Sequence, residues 1–150
     1  MRDKLANISR RCGIPAATEP KQFECADGKR PDVTFYLCDQ MPLTIDLHIN
    51  NPACKSHANQ ADPTADSRRK KDKKYKSTVE GSSHEWTSVG FETFGAFSAD
   101  ADRLAVKLAS ASAGIMTRKE IAQEVSVIIQ RGNAAILAST LAQDRRRDRL

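Results

Sequence analysis

The chain is poor in aromatic residues and has no long apolar run. Aromatics make up 5% of its 150 residues, and it has a single Trp. With 39% apolar residues, 29% charged residues and a mean hydropathy of −0.55, there is material for one modest core. No stretch approaches the roughly 20 apolar residues that a membrane-spanning helix needs, which excludes a membrane partner of that kind. The N-terminus "MRDKLANISRRCG" lacks the apolar centre of a secretory signal, so an intracellular location is expected, nuclear in a eukaryote. Zinc-type cysteine pairs are missing too. Cys12, Cys25, Cys38 and Cys54 stand 13, 13 and 16 residues apart, with no CxxC among them. Reduced, partly buried thiols are the expectation, in preference to disulfides or a zinc site using His57 or His84.

Positive charge is abundant. The net charge is +5, and it is clustered: "RRKKDKKYK" (Arg68 to Lys76) holds seven basic residues, and "RRRDR" (Arg145 to Arg149) holds four. Such blocks bind polyanions or form solvated helix faces, and charge alone does not choose between the two.

The pattern along the chain predicts a helix over residues 2–11, where Leu5, Ile8 and Cys12 form a stripe before Gly13. A loop with three prolines and two glycines follows, with one short strand near Ala16 to Glu19. "DVTFYL" and "PLTIDLHI" read as a β-hairpin. A polar loop leads into a helix over "RRKKDKKYKSTVE", whose start is capped either by Asp62 or by Asp66 and Ser67, and which Gly81 ends. "EWTSVGFETF" reads as a third strand of the central region. Ser98 caps a helix that runs towards Gly114, and a Thr117-x-x-Glu120 capping box opens a last helix. Gly132 is expected to kink that helix or split it. The result is a mixed α/β domain: a small mixed sheet flanked by helices, with C-terminal helices, over residues 1–142, and a basic tail over 143–150.

Two acids fall within the strand-like runs, Asp32 in "RPDV" and Asp46 in "TIDLHI". Alternation places Thr44, Asp46, His48 and Asn50 on one face of their strand, and Leu43, Ile45, Leu47 and Ile49 on the other. Hairpin pairing brings Asp32 alongside Asp46. The two carboxylates then either face solvent or converge on one divalent cation such as Mg²⁺. The lysine-rich helix offers an ammonium to such a site. Glu19 is a further acid near these strands.

The ordered set "CGIPAATEP", "RPDV", "IDLHINNP", "KDKKY" and "FETFG" resembles the PD-(D/E)xK nuclease superfamily over residues 10–97. More narrowly, it is similar to the restriction-like endonuclease domain that follows the reverse transcriptase in certain non-LTR retrotransposons, and to related retroelement-derived proteins of protists and algae. The resemblance implies a restriction-endonuclease-like core and cleavage of DNA with Mg²⁺ or Mn²⁺. It implies Asp32 and Asp46 as metal ligands and Lys71 as the catalytic lysine. It also implies DNA backbone contacts from Arg30, His48, Lys70, Lys74 and Tyr75 with little base specificity, and a reverse transcriptase fused to the chain or acting with it. The chain departs from the superfamily's commonest form at His48, which stands where a lysine two residues past the second acid is usual. In the retrotransposon branch that lysine lies on the next helix, which fits Lys71 or a neighbour within residues 70–74, Lys71 matching the first lysine of the family's "K..KY". Two other readings are a degenerate nuclease fold that binds nucleic acid without cleaving it, and a small α/β protein with an acidic protein partner.

Overall fold

The computed structural model describes residues 1–51 and 63–147, without the side chains of residues 63, 64 and 140–147. Cys54, His57, Asp62 and Arg149 therefore lie outside the described residues. In chain order the elements are α1 (Arg2–Arg11), β1 (Ala16–Thr18), a 3₁₀ turn (Lys21–Phe23), β2 (Val33–Phe35), β3 (Leu43–Asn50), α2 (Pro63–Glu80), β4 (Glu85–Glu92), α3 (Ala99–Ala111) and α4 (Arg118–Arg147).

The four strands form one mixed sheet in the order β1-β2-β3-β4. β1, β2 and β3 are antiparallel neighbours, and β4 runs parallel to β3 across the α2 connection. The α/β class with a small mixed sheet and flanking helices is thus as expected. β2 is shorter than "DVTFYL" suggested. Its main-chain pairing nevertheless continues beyond the strand, because the Asp32 N–H donates to the Ile45 carbonyl at 3.0 Å.

Strand alternation decides what each face of the sheet meets. Val33, Phe35, Leu43, Ile45, Val89 and Phe91 share one core with Leu5 and Ile8 of α1, Leu104 and Leu108 of α3, and Ile121, Val125 and Ile129 of α4. The other face carries Thr34, Thr44, Asp46, Trp86 and Ser88, all buried. This polar face does not meet solvent, because α2 lies across it. Tyr75 and Val79 of α2 pack with Trp86 and with Phe23 of the 3₁₀ turn in a second, smaller core. Thr34 and Thr44 face each other across the β2–β3 ladder, their hydroxyls 2.8 Å apart.

The caps follow the sequence. The Ser98 hydroxyl accepts from the Ala101 N–H, and the Thr117 and Glu120 side chains each accept the other's backbone N–H. Gly132 does not split the last helix. α4 is one helix of 30 residues, and its backbone is helical through residues 143–147, which were expected to be a tail. A glycine within a helix costs only about 1 kcal/mol relative to Ala, and its neighbours Gln130, Arg131, Ala134 and Ala135 are good helix formers.

The paired threonines test the packing of the polar face. Thr44→Val leaves the Thr34 hydroxyl buried without its partner, and chemical denaturation should show a loss of about 1–3 kcal/mol. Thr34→Val combined with Thr44→Val should recover most of that loss. A double variant that is no more stable than Thr44→Val alone counts against the hydroxyl pair.

Candidate active site

Asp32 and Asp46 are brought together by the sheet register. Val33 pairs with Ile45, so the residue before the first lies opposite the residue after the second. Both acids line one cleft of about 490 Å³, with Glu19, Gly28, Lys29, Arg30, Leu47, Lys71 and Tyr75. The cleft opens where β2 and β3 meet α2.

Each carboxylate is held in a definite way. Asp32 Oδ2 accepts the Leu47 N–H at 2.7 Å, which fixes its direction towards β3. Asp46 is 3% exposed, and its Oδ2 is ion-paired with the Lys71 ammonium. Lys71 reaches it because Lys71, Tyr75 and Val79 recur at four-residue steps and share the helix face laid on the sheet. Burial pushes the Asp46 carboxyl up to about 6; Lys71 pulls it down, and the Asp32 charge pushes it up. Glu19 borders the same cleft. Its N–H donates to the Asp32 carbonyl at 2.9 Å, and its carboxylate is paired with Arg2 of α1. The backbone at Glu19 has φ +46°, a left-handed conformation uncommon for this residue type.

The other predicted residues are placed less centrally. Arg30 lines the cleft but is ion-paired with Glu24. Tyr75 is 3% exposed, its ring tilted against Trp86 at 5.5 Å between centroids, and its hydroxyl donates to the Arg30 carbonyl at 3.4 Å. It forms part of the cleft wall, with no open ring face on which a base could stack. Lys74 points away, towards Asp27, at 2.6 Å. Lys70 is exposed on α2 beside Lys71 and outside the cleft lining. His48 is half-buried, with Nδ1 3.2 Å from the Ser88 hydroxyl on the neighbouring strand. It shares the strand face of Asp46 but is not part of the cleft lining.

No family model matches the chain, and no curated protein matches it.

The donor set of the cleft is therefore the basis for its chemistry. Carboxylate oxygens suit a hard divalent cation, and two of them with water and substrate oxygens are a usual number for Mg²⁺. Among the described residues, no cluster of three or more His, Cys, Asp and Glu side chains is arranged to hold a metal ion. A zinc centre finds no support there either. Cys12 is buried, Cys25 half-buried and Cys38 exposed, all as free thiols, and His84 packs edge-on against Phe23. Sequence reasoning missed three contributors to this site, Gly28, Lys29 and Leu47. Gly28 and Lys29 belong to a turn whose "DG" signal is visible in the sequence. The Leu47 N–H is a backbone group and has no residue-type signature.

The buried acid predicts a pH dependence. Asp46 is raised from the ordinary 3.8 to about 6, so the folded state binds more protons than the unfolded chain between those values. Stability without divalent cations should therefore fall as pH rises from about 4 to above 6. The penalty at neutral pH is at most about 3 kcal/mol. Denaturation of Asp46→Asn at a series of pH values should lack that fall. Equal pH slopes for the two proteins would contradict it.

Proposed function

We propose that this cleft is the active site of a Mg²⁺-dependent endonuclease that cleaves DNA phosphodiester bonds, of the restriction-like kind associated with retroelements. One observation carries the reading: a carboxylate on β3 and one immediately before β2, its antiparallel neighbour, share a cleft with a lysine from the following helix, which meets the more buried of them. The all-oxygen donor set fits Mg²⁺ or Mn²⁺. Bound there, such a cation polarises a phosphodiester and lowers the pKa of an attacking water.

The roles of the chain's own residues follow from their positions. Asp32 and Asp46 hold the cation, with the Leu47 N–H keeping Asp32 in orientation. Lys71 neutralises Asp46 in the arrangement described. With the carboxylates holding a cation, the Lys71 ammonium would face a phosphoryl oxygen and stabilise charge developing there. Arg30 and Lys70 border or flank the cleft and would contact the DNA backbone rather than base edges. Action alongside a reverse transcriptase belongs to the same proposal.

His48 supports a second reading, a nuclease fold that binds nucleic acid without cleaving it. It occupies the position where a lysine is commonest in the superfamily, and its Nδ1 is turned to Ser88. Plasmid nicking separates the two. With Mg²⁺, the wild type should convert supercoiled plasmid to the open circle, and Asp46→Ala and Asp32→Ala should reduce nicking to background. Lys71→Ala should cost about 10²–10³-fold. A wild type that binds DNA and nicks none leaves the second reading standing. Binding without salt dependence removes both.

A further inference from the structure

The cations around the cleft are mostly engaged within the protein. Lys71 meets Asp46, Arg30 meets Glu24, and Arg2 meets Glu19. Lys29 is the most exposed and most loosely paired of the cleft-lining cations. Its side chain is 72% exposed, and its ammonium stands 3.8 Å from Asp27, beyond hydrogen-bond distance. Asp27 is in turn held by Lys74 at 2.6 Å.

The backbone that carries Lys29 is fixed. Gly28 turns the chain with φ +74°, a conformation glycine adopts without strain. Its N–H donates to the Cys25 carbonyl, and the Cys25 N–H donates to the Lys29 carbonyl, each at 2.8 Å. The Asp27 side chain accepts the Lys29 N–H at 3.2 Å, and the Lys74 ammonium holds the other oxygen of the same carboxylate. The turn is thereby clamped to α2 at one end. Pro31 and Asp32 continue from its other end into the ladder.

Resting on the endonuclease reading, the geometry points to Lys29 as a further cation of this cleft that binds substrate: it takes a backbone phosphate of the nucleic acid beside the Asp32–Asp46 pair. A flexible ammonium on a fixed turn suits this role, since it acts as a point charge that meets phosphate without demanding one geometry. Lys29 thus acts in binding, and the Lys74–Asp27 pair positions the turn that bears it.

The test is fluorescence-anisotropy titration of a labelled mixed-sequence DNA duplex over a salt series, with EDTA present so that no cleavage occurs. The variants are Lys29→Ala, Lys29→Arg and Lys119→Ala. Lys119 is exposed on α4, on the opposite side of the sheet, and its removal changes net charge equally. Lys29→Ala should weaken binding severalfold at low salt and make the plot of log affinity against log salt shallower by about 0.9. Lys29→Arg should keep the wild-type slope, and Lys119→Ala should do the same. If wild type binds and Lys29→Ala behaves like Lys119→Ala, the Lys29 assignment falls and the endonuclease reading stands. If the wild type binds no DNA, both fall.

Discussion

A carboxylate buried on the central part of the sheet organises the candidate site. Asp46 lies on β3 under α2, and a buried ionised acid is tolerated only with a counter-charge. Lys71 supplies it, and this pairing constrains how α2 can lie. The helix must present Lys71 to β3 while Tyr75 and Val79, one and two steps further on, reach the aromatic cluster with Phe23 and Trp86. One helix stripe therefore closes a small core and places an ammonium beside two acids. The cleft is the gap left where that stripe changes from apolar to charged.

The same helix shows how a basic run is used inside a fold. Arg68 reaches Asp100 at the start of α3, Arg69 meets Asp66, Lys74 holds Asp27, and Lys76 lies 4.0 Å from Glu80. Asp72 accepts the Trp86 indole N–H at 2.7 Å. Arg68, Lys71 and Lys74 thus tether α2 to its neighbours, while Arg69 and Lys76 pair within the helix. The exposed pairs add little stability individually, but Asp100 is 6% exposed and its partners Arg68 and Arg103 neutralise it. Among the described residues, Lys70 and Lys73 of the run and Lys29 at the cleft remain exposed to solvent.

Much of the fold was legible because its signals are local. The stripe of Leu5, Ile8 and Cys12, the Ser98 cap, the Thr117–Glu120 box and the alternation in "LTIDLHI" depend on neighbours within a few residues, and each element formed. The pairing of Asp32 with Asp46 was legible too, because an antiparallel ladder makes register a matter of counting. What was less legible depended on distant packing. Tyr75 looked available to a nucleic acid and is instead enclosed by Phe23 and Trp86. Gly132 looked like an interruption, and the helix passes through it.

The amino-acid order by itself determined the element types, the faces of β3 and the presence of two acids on paired strands, because backbone propensity and side-chain alternation act over short range. Tertiary structure decided which face would be covered, and by what. An alternating strand specifies that its two faces differ, and it leaves open whether the polar one meets water or a helix. Here the polar face is closed by α2, because Tyr75 and Val79 gain burial there and Lys71 meets the acid that would otherwise be stranded. That docking sets which lysines are held closely and leaves Lys29, on a turn with no regular structure of its own, as the most exposed of the cleft-lining cations.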